Sequence, residues 1–220
     1  DVDGGTPSYA IVGGADAARF SIDAATGTLS FVTAPDHDVA GDADANNVYT
    51  VTVSANDGAG GIATQAISVT VTNVNEAPSF VGTPSGAATE DQPYSVTVTA
   101  TDPDGGTALA ITATGLPAWL TLVDHGNGTA TLSGTPGDND TGPVALTLQV
   151  SDGSLTATQA LTVNVTPVND APVITSAATF TIPENTTTVG TVTSTDVDGG
   201  TPSYAIVGGA DAAKFSIDAS

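Results

Sequence analysis

Apolar and polar side chains alternate with a period of two along much of this chain. The clearest runs are VYTVTVSA, AISVTVT, YSVTVTAT, ALTLQVS and ALTVNVT, in which Val, Ile, Leu or Ala alternates with Thr or another polar side chain. A period of two puts one set on each face of a pleated strand, so half-buried strands are predicted over Val48–Ala55, Ala66–Thr72, Tyr94–Thr101, Ala145–Ser151 and Ala160–Thr166. The abundance of Val and Thr suits such a surface, and Asn127-Gly128 and several Asp-Gly pairs supply the positive φ of turns. No helical period appears beyond a single turn at Asp16–Arg19. Many short strands separated by turn signals predict an all-β sandwich architecture, with sandwiches stacked end to end.

Internal repeats divide the pattern into domains. The segment DVDGGTPSYAIVGGADAARFSIDA at 1–24 recurs at 196–219 with one change, Arg19 becoming Lys214. A weaker repeat relates ATQAISVTVTNVNEAP (63–78) to ATQALTVNVTPVNDAP (157–172), an offset of 94 residues. The two offsets together predict alternating domain types, A and B, of about 101 and 94 residues, each a usual size for a sandwich. Boundaries are expected after Pro78 and Pro172, where an Asn-acid-Ala-Pro sequence ends one strand and starts the next segment extended. Residues 1–78 are then most of an A domain, 79–172 a complete B domain, and 173–220 the first half of another A. On this reading the chain is an excerpt of an A-B-A-B array.

Composition changes the picture in one direction. Twenty-four acids stand against two bases, Arg19 and Lys214, for a formal net charge of −22. Such a charge repels nucleic acid and anionic membrane and favours cations as partners. The 40% hydrophobic content, arranged in alternating runs, argues against the disorder that so acidic a chain would otherwise suggest. Cysteine is absent, so no disulfide framework exists, and no run of 18 apolar residues is present to span a bilayer.

The acids are not spread over strand faces as a solubilising coat; many lie in turns and at the expected domain boundaries. Three Asp-x-Asp-Gly-Gly segments occur, at Asp1–Gly5, Asp102–Gly106 and Asp196–Gly200. Each reads as a plain turn, since Asp-Gly is an ordinary turn pair, or as part of an oxygen-rich site suited to calcium.

Several motifs bear on that choice. DVDGG, FSIDAATGTLSF (20–31), PDHD (35–38), SANDG (54–58), NVNEAP (73–78) and the Pro-Glu-Asn of FTIPEN (180–185) together resemble the cadherin-like repeats of large bacterial surface adhesins. The middle segment, through GLPAWLTL (115–122), TATLSGTP (129–136) and PVNDAP (167–172), is similar to the related putative-Ig or dystroglycan-type cadherin-like repeats. The resemblance implies tandem Ig-like, cadherin-like Greek-key β-sandwiches in an elongated array. It also implies Ca2+ between successive domains, held by an acidic loop of the lower domain, the linker, and the Asp-x-Asp of the upper domain. At the first junction the matching positions are Asp36 and Asp38, then Asn73, Asn75 and Glu76, then Asp102, Asp104 and Asp152. At the second they are Glu90, Asn169, Asp170, Asp196 and Asp198, with Asp138 and Asp140 in place of a missing Asp-x-Glu. Asp1 and Asp3 would face a domain below. The linkers depart from the family's fuller Asp-x-Asn-Asp-Asn-x-Pro by at least one ligand each. Pro167 offers no side-chain oxygen where the family has its leading Asp, so the first junction is expected to be the better site. The alternative is that these acids cap turns and stay solvated.

Residues that suggest other chemistry have plainer readings. Trp119 would suit sugar stacking, but Leu116–Leu122 around it reads as core. His37 and His125 lie outside any nucleophile motif and are read as loop residues. No His/Cys cluster for zinc and no phosphate-binding glycine loop ahead of a helix is present. Asn-x-Thr at Asn127, Asn139 and Asn185 carries no expectation of glycosylation in a bacterial protein. Ten aromatics, mostly at strand positions, leave few for an exposed sugar-binding strip.

The expected function is therefore structural and non-enzymatic: a calcium-binding extender repeat of a secreted or surface-anchored adhesin or extracellular filament, each sandwich adding roughly 40 Å of length. Like charges clustered at a joint repel, and a bound dication would turn the hinge into a rod. The alternative is a carbohydrate- or partner-binding module. Expected partners are neighbouring domains of the same array, neighbouring chains by strand complementation, and polysaccharide. Neither nucleic acid nor membrane insertion is expected.

Overall fold

The protein is nearly all-β in a computed structural model that describes residues 6–105 and 108–219; Asp1 and Asp3 lie outside the described residues. The chain forms two compact units. One comprises Asp1–Pro78, Thr101–Thr107 and Asp152–Leu155, the other Ser79–Ala100, Ala108–Ser151 and Thr156–Ser220.

The first unit holds β1 (Ser8–Gly13), β2 (Phe20–Ile22), β3 (Leu29–Phe31), β4 (Val48–Asn56) and β5 (Ile62–Thr70). Strands β1, β4 and β5 form one antiparallel sheet in that order, and β2 and β3 form a separate two-stranded hairpin. The expected turn at Asp16–Arg19 is a short 3-10 helix over Ala17–Arg19. Gly14, at φ +109, leads the chain from β1 towards this turn; a Cβ there would stand 2.5 Å from Val51 Cα and 2.6 Å from Thr50 O, so the close crossing requires glycine. Strand β5 begins four residues before the expected Ala66 and ends at Thr70. It starts early because Asp57 closes the β4–β5 turn, accepting from Ala59 N at 2.8 Å and Gly61 N at 2.9 Å, and this brings Ile62 opposite Asn56. Its first five residues are all exposed, so no alternation announced them. The core here is small: Phe20, Tyr49 and Val51 are buried, with Phe31 stacked on Phe20 and edge-on to Tyr49.

The second unit contains a complete sandwich. Its strands are β6 (Ser79–Phe80), β7 (Ala87–Thr89), β8 (Tyr94–Thr101), β9 (Ala110–Thr114), β10 (Leu120–Asp124), β11 (Thr129–Gly134), β12 (Gly142–Ser151) and β13 (Thr156–Thr166). One sheet has the order β10-β11-β8-β6 and the other β7-β13-β12-β9. All the registered pairs are antiparallel except β13 with β7. Alternation explains the packing: in β12 and β13, Leu146, Leu148, Val150, Leu161, Val163 and Val165 point inward while the intervening side chains face solvent. Each such side chain contributes about 1.5–3 kcal/mol by leaving water. Tyr94–Thr101 forms as expected, whereas β12 and β13 each extend further N-terminally because Gly142 pairs with Val165 and Ser151 with Thr156. Trp119 packs against this core, edge-on to Tyr94. Beyond the sandwich, β14 (Val173–Ile174) pairs with β15 (Ser194–Thr195), and Ala212–Lys214 repeats the 3-10 turn of Ala17–Arg19.

Candidate metal centre

Two clusters of acids are built on one backbone frame used twice. In the first, Asp104 N donates to Asp102 Oδ1 at 3.0 Å, and Asp104 Oδ2 accepts from Glu76 N at 2.9 Å. In the second, Asp198 N donates to Asp196 Oδ1 at 3.1 Å, and Asp198 Oδ2 accepts from Asp170 N at 2.6 Å. Asn75 and Asn169 close the frame alike, each donating from Nδ2 to the carbonyl of the following acid, at 3.0 and 2.8 Å. Every residue has its counterpart 94 positions away. Local sequence causes this: Asp-x-Asp folds its first carboxylate onto the next backbone N–H but one, leaving the second carboxylate to hold the linker.

In the first cluster, carboxylate oxygens of Asp38, Glu76 and Asp104 lie within 4.8 Å of one another. Asn73 donates its amide to Asp104 Oδ1, and Asn75 donates to Asp152 Oδ2 at 2.8 Å. The other oxygen of Asp152 accepts from Ser154 N and Leu155 N, each at 2.6 Å. Asp36 accepts from Asp38 N at 2.9 Å and Val39 N at 3.2 Å, so it shapes the loop that presents Asp38. Loss of water, then the charges of Asp104, Asp38 and Asp36, push the Glu76 carboxyl above the ordinary carboxylate range. Asp104 is held below it by the Asn73 amide and the Glu76 N–H, and Asp152 by the Asn75 amide and the Leu155 and Ser154 N–H groups.

In the second cluster, oxygens of Glu90, Asp138 and Asp170 lie within 4.8 Å of one another. Glu90 follows β7 and is only 1% exposed, with Oε2 accepting from Val168 N at 2.7 Å. Loss of water, then Asp138, Asp198, Asp91 and Glu90, raise the Asp170 carboxyl. Asp140, expected beside Asp138, stands outside the three: its carboxylate accepts from Gly137 N at 3.0 Å and so caps the short 3-10 turn that positions Asp138. Asp91 was missed. Its signal is the Glu90-Asp91 pair at a tight turn, where Asp91 takes φ 56.

The donor sets are tested by their own oxygens. Asp102 Oδ2 and Asp170 Oδ2 are buried with no hydrogen-bond partner, and each cluster brings together three carboxylates that repel. Buried unpartnered acceptors amid like charge, with no thiolate in the chain, fit a hard cation of the calcium type. Two further buried acids do other work. Asp16 accepts from Ala43 N and Thr50 N, both at 2.7 Å, and Asp42 accepts from Asn46 N at 2.8 Å and Asn47 N at 3.2 Å, so both brace loops. His37 Nδ1 lies 3.7 Å from Asp38 Oδ1, and His125 Nε2 lies 2.9 Å from Thr131 Oγ1; both sit in loops, as expected.

Residues 77–166 match the family model described as Putative Ig domain. No curated protein matches the chain. Among solved structures, protocadherin gamma B2 extracellular cadherin domains 1-5 align over 89% of this chain and 39% of that one, at 21% identity and a TM-score of 0.61. Human CDH23 EC21-23 aligns over 90% of this chain and 71% of that one, at 21% identity and a TM-score of 0.57. Human protocadherin-24 EC1-2 aligns over 78% and 85%, at 20% identity and a TM-score of 0.52. The chain thus spans about two fifths of the first of these structures. These likenesses show the fold, a cadherin-like, Ig-like β-sandwich architecture.

Proposed function

We propose that the chain is a calcium-binding extender repeat of a large secreted or surface-anchored bacterial adhesin or extracellular filament, and that it is not an enzyme. Its sandwich domains divide at Pro78 and Pro172 in this reading, with Ca2+ at each junction. The observation that carries it is the repeated frame: beside each acidic cluster an Asp-x-Asp and a linker acid, 94 residues apart in the two copies, make matched hydrogen bonds.

A bound Ca2+ would supply oxygen coordination of adaptable geometry and cancel like charge. Asp38, Glu76 and Asp104 would hold it in the first cluster, and Glu90, Asp138 and Asp170 in the second. Asn73, Asn75 and Asp36 orient the first set. Asn169, Asp196 and Asp198 orient the second. Asp102 Oδ2 and Asp170 Oδ2 supply acceptor capacity that the protein itself leaves unused. Because the acidic segments precede Pro78 and Pro172, neutralising them would stiffen the joints of an array, which suits a spacer whose length is set by the number of repeats.

A carbohydrate-binding reading finds less support, since Trp119, its natural stacking residue, is packed against the core beside Tyr94. The test is calcium titration by calorimetry, with Asp104→Ala and Asp198→Ala as controls, and small-angle scattering of a multi-repeat protein with and without chelator. Heat lost in the variants and a more flexible chelated chain are expected. No heat from the unaltered chain would return these acids to solvated turn caps.

A further inference from the structure

Asn47 stands where two segments of the first acidic cluster meet. It is the last residue before β4, and the sequence DADANN (42–47) builds the bend that leads into that strand. The buried Asp42 carboxylate gathers the bend, accepting from Asn46 N at 2.8 Å and Asn47 N at 3.2 Å. Asn47 takes φ 62, a left-handed conformation that Asn tolerates better than most side chains. On either side of it, Ala43 N and Thr50 N donate to the buried Asp16 carboxylate, both at 2.7 Å. Backbone bonds before and after Asn47 thus fix where its side chain starts.

Two contacts leave that fixed point. The Asn47 side chain is half-buried: Nδ2 donates to the His37 carbonyl at 2.9 Å, and Oδ1 is buried without a partner. His37 precedes Asp38, the acid that its loop contributes to the cluster. The Asn47 carbonyl accepts from Val71 N at 2.9 Å, one residue past the end of β5. From Val71 the chain runs on to Asn73, which donates its amide to Asp104, and to Glu76. One residue therefore holds the segments that deliver Asp38 and Glu76, which lie far apart in sequence. Gly41 N, donating to Tyr49 Oη at 3.0 Å, ties the far end of the Asp38 loop, and the Asn47 amide is the tie next to Asp38.

We infer that Asn47 is a positioning residue of the first calcium site: it contributes no ligand, and by gripping the His37 carbonyl it sets where Asp38 stands relative to Glu76 and Asp104. The inference rests on the calcium reading above and adds to it a residue outside the acid pattern. The effect is preorganisation. A carboxylate whose backbone is held near its partners loses less freedom on binding than one carried by a free loop. Outer partners that orient ligands in this way are worth about 10–100-fold in metal affinity.

The test is Asn47→Gly, which deletes the amide and leaves the left-handed backbone accessible. In the full chain with the second cluster disabled by Glu90→Gln and Asp170→Asn, calorimetric calcium titration reads the first cluster. Asn47→Gly is expected to raise Kd about tenfold, the low end for an outer partner because other bonds still hold the loop. Once Asp38 is replaced by Asn, the same change should alter Kd by less than about twofold, because Asn47 acts through Asp38. Hydrogen exchange in chelator separates positioning from folding. The Asp38 and Val39 N–H groups should exchange faster in Asn47→Gly, whereas Val71 N–H, bonded to a carbonyl that Gly retains, should keep its protection. Unchanged affinity in Asn47→Gly overturns the inference and leaves the calcium reading standing. A loss of affinity that persists undiminished with Asp38→Asn, or a loss of Val71 protection, also overturns it, by making Asn47 a support of the fold. Calcium heat that ignores Asp38→Asn overturns the calcium reading of this cluster and the inference with it.

Discussion

Glu90→Gln separates a ligand from a structural acid. The side chain is buried at 1% exposure, and its Oε2 accepts from Val168 N at 2.7 Å. Gln keeps the volume and an oxygen for that bond, so the loss of about 1–3 kcal/mol expected for an orphaned buried N–H does not arise. What changes is charge: one of three mutually repelling carboxylates becomes neutral. Trp119 is the only tryptophan and packs in the same sandwich, so its fluorescence follows the unfolding of this region alone. In chelator, Glu90→Gln should melt at or above the unaltered protein. Calcium at about 100 times its Kd adds about 2.7 kcal/mol to a protein that binds only when folded. For a sandwich of about 90 residues that is a rise on the order of 10 °C or more. A tenfold weaker site forfeits about 1.4 kcal/mol of this, roughly half. The reasoning is refuted if calcium leaves the unaltered melt unchanged, or if Glu90→Gln responds to calcium as fully as Glu90 does. A variant that melts several degrees lower in chelator would show that the carboxylate serves the fold.

Three other perturbations follow from the same geometry. Glu76 and Asp170 have raised carboxyl pKa values, so protons compete for them above the ordinary carboxylate range, and calcium affinity measured by calorimetry should fall as pH is lowered from 7 towards that range. Without calcium the sign for stability differs by group: the two raised acids favour the fold at low pH and lose that contribution as pH rises through their folded values, whereas Asp104 and Asp152 stabilise above the ordinary carboxylate value and lose it as pH falls through their depressed ones. Asp38→Asn should weaken calcium binding more than Asp36→Asn, because Asp38 belongs to the cluster whereas Asp36 spends its oxygen on Asp38 N and Val39 N; equal losses in calorimetry would contradict the geometry. Gly134→Ala would drive a Cβ into the Trp119 carbonyl, and an overpacking cost of about 1–3 kcal/mol should lower the tryptophan-reported melt.

Strands with strict alternation were legible because alternation is itself the record of one wet and one dry face. Tyr94–Thr101 formed as the sequence predicts, and β12 and β13 kept their ends at Ser151 and Thr166. The first half of β5 was illegible for the converse reason: with every side chain from Ile62 to Ala66 exposed, nothing in the hydropathy marks a face, and only the Asp57 turn and the pairing with β4 hold it extended. Short strands such as β7 and β14 depend on partners far away in sequence. At the acidic clusters, Asp-x-Asp and the linker acids could be read because their bonds are local. The roles of Asp138 and Asp140 could not be told apart from their spacing, since a capping bond to Gly137 N decides them.

The two clusters share the Asp-x-Asp and linker frame beside them and differ in the acids brought to it, and this bears on which binds calcium more tightly. Ligand count in the linkers favours the first, because Pro167 lacks the oxygen that a leading Asp would give. Preorganisation favours the second. Asp38 is carried by a loop that Asp36 and Asn47 brace by hydrogen bonds to its backbone but that leaves Val39 facing solvent, so ordering the Asp38 side chain on binding costs more conformational entropy than ordering an enclosed one. Glu90 is already fixed, fully enclosed and bonded to Val168 N, while Asp138 is set by a capped turn. A residue ordered in the free protein adds nothing to that cost. The second site is therefore expected to be the tighter although Pro167 leaves its linker one side-chain oxygen short. Calorimetry of Asp38→Asn and Glu90→Gln decides it: loss of the tighter phase only in Glu90→Gln supports preorganisation, and its loss only in Asp38→Asn makes linker oxygens the stronger influence.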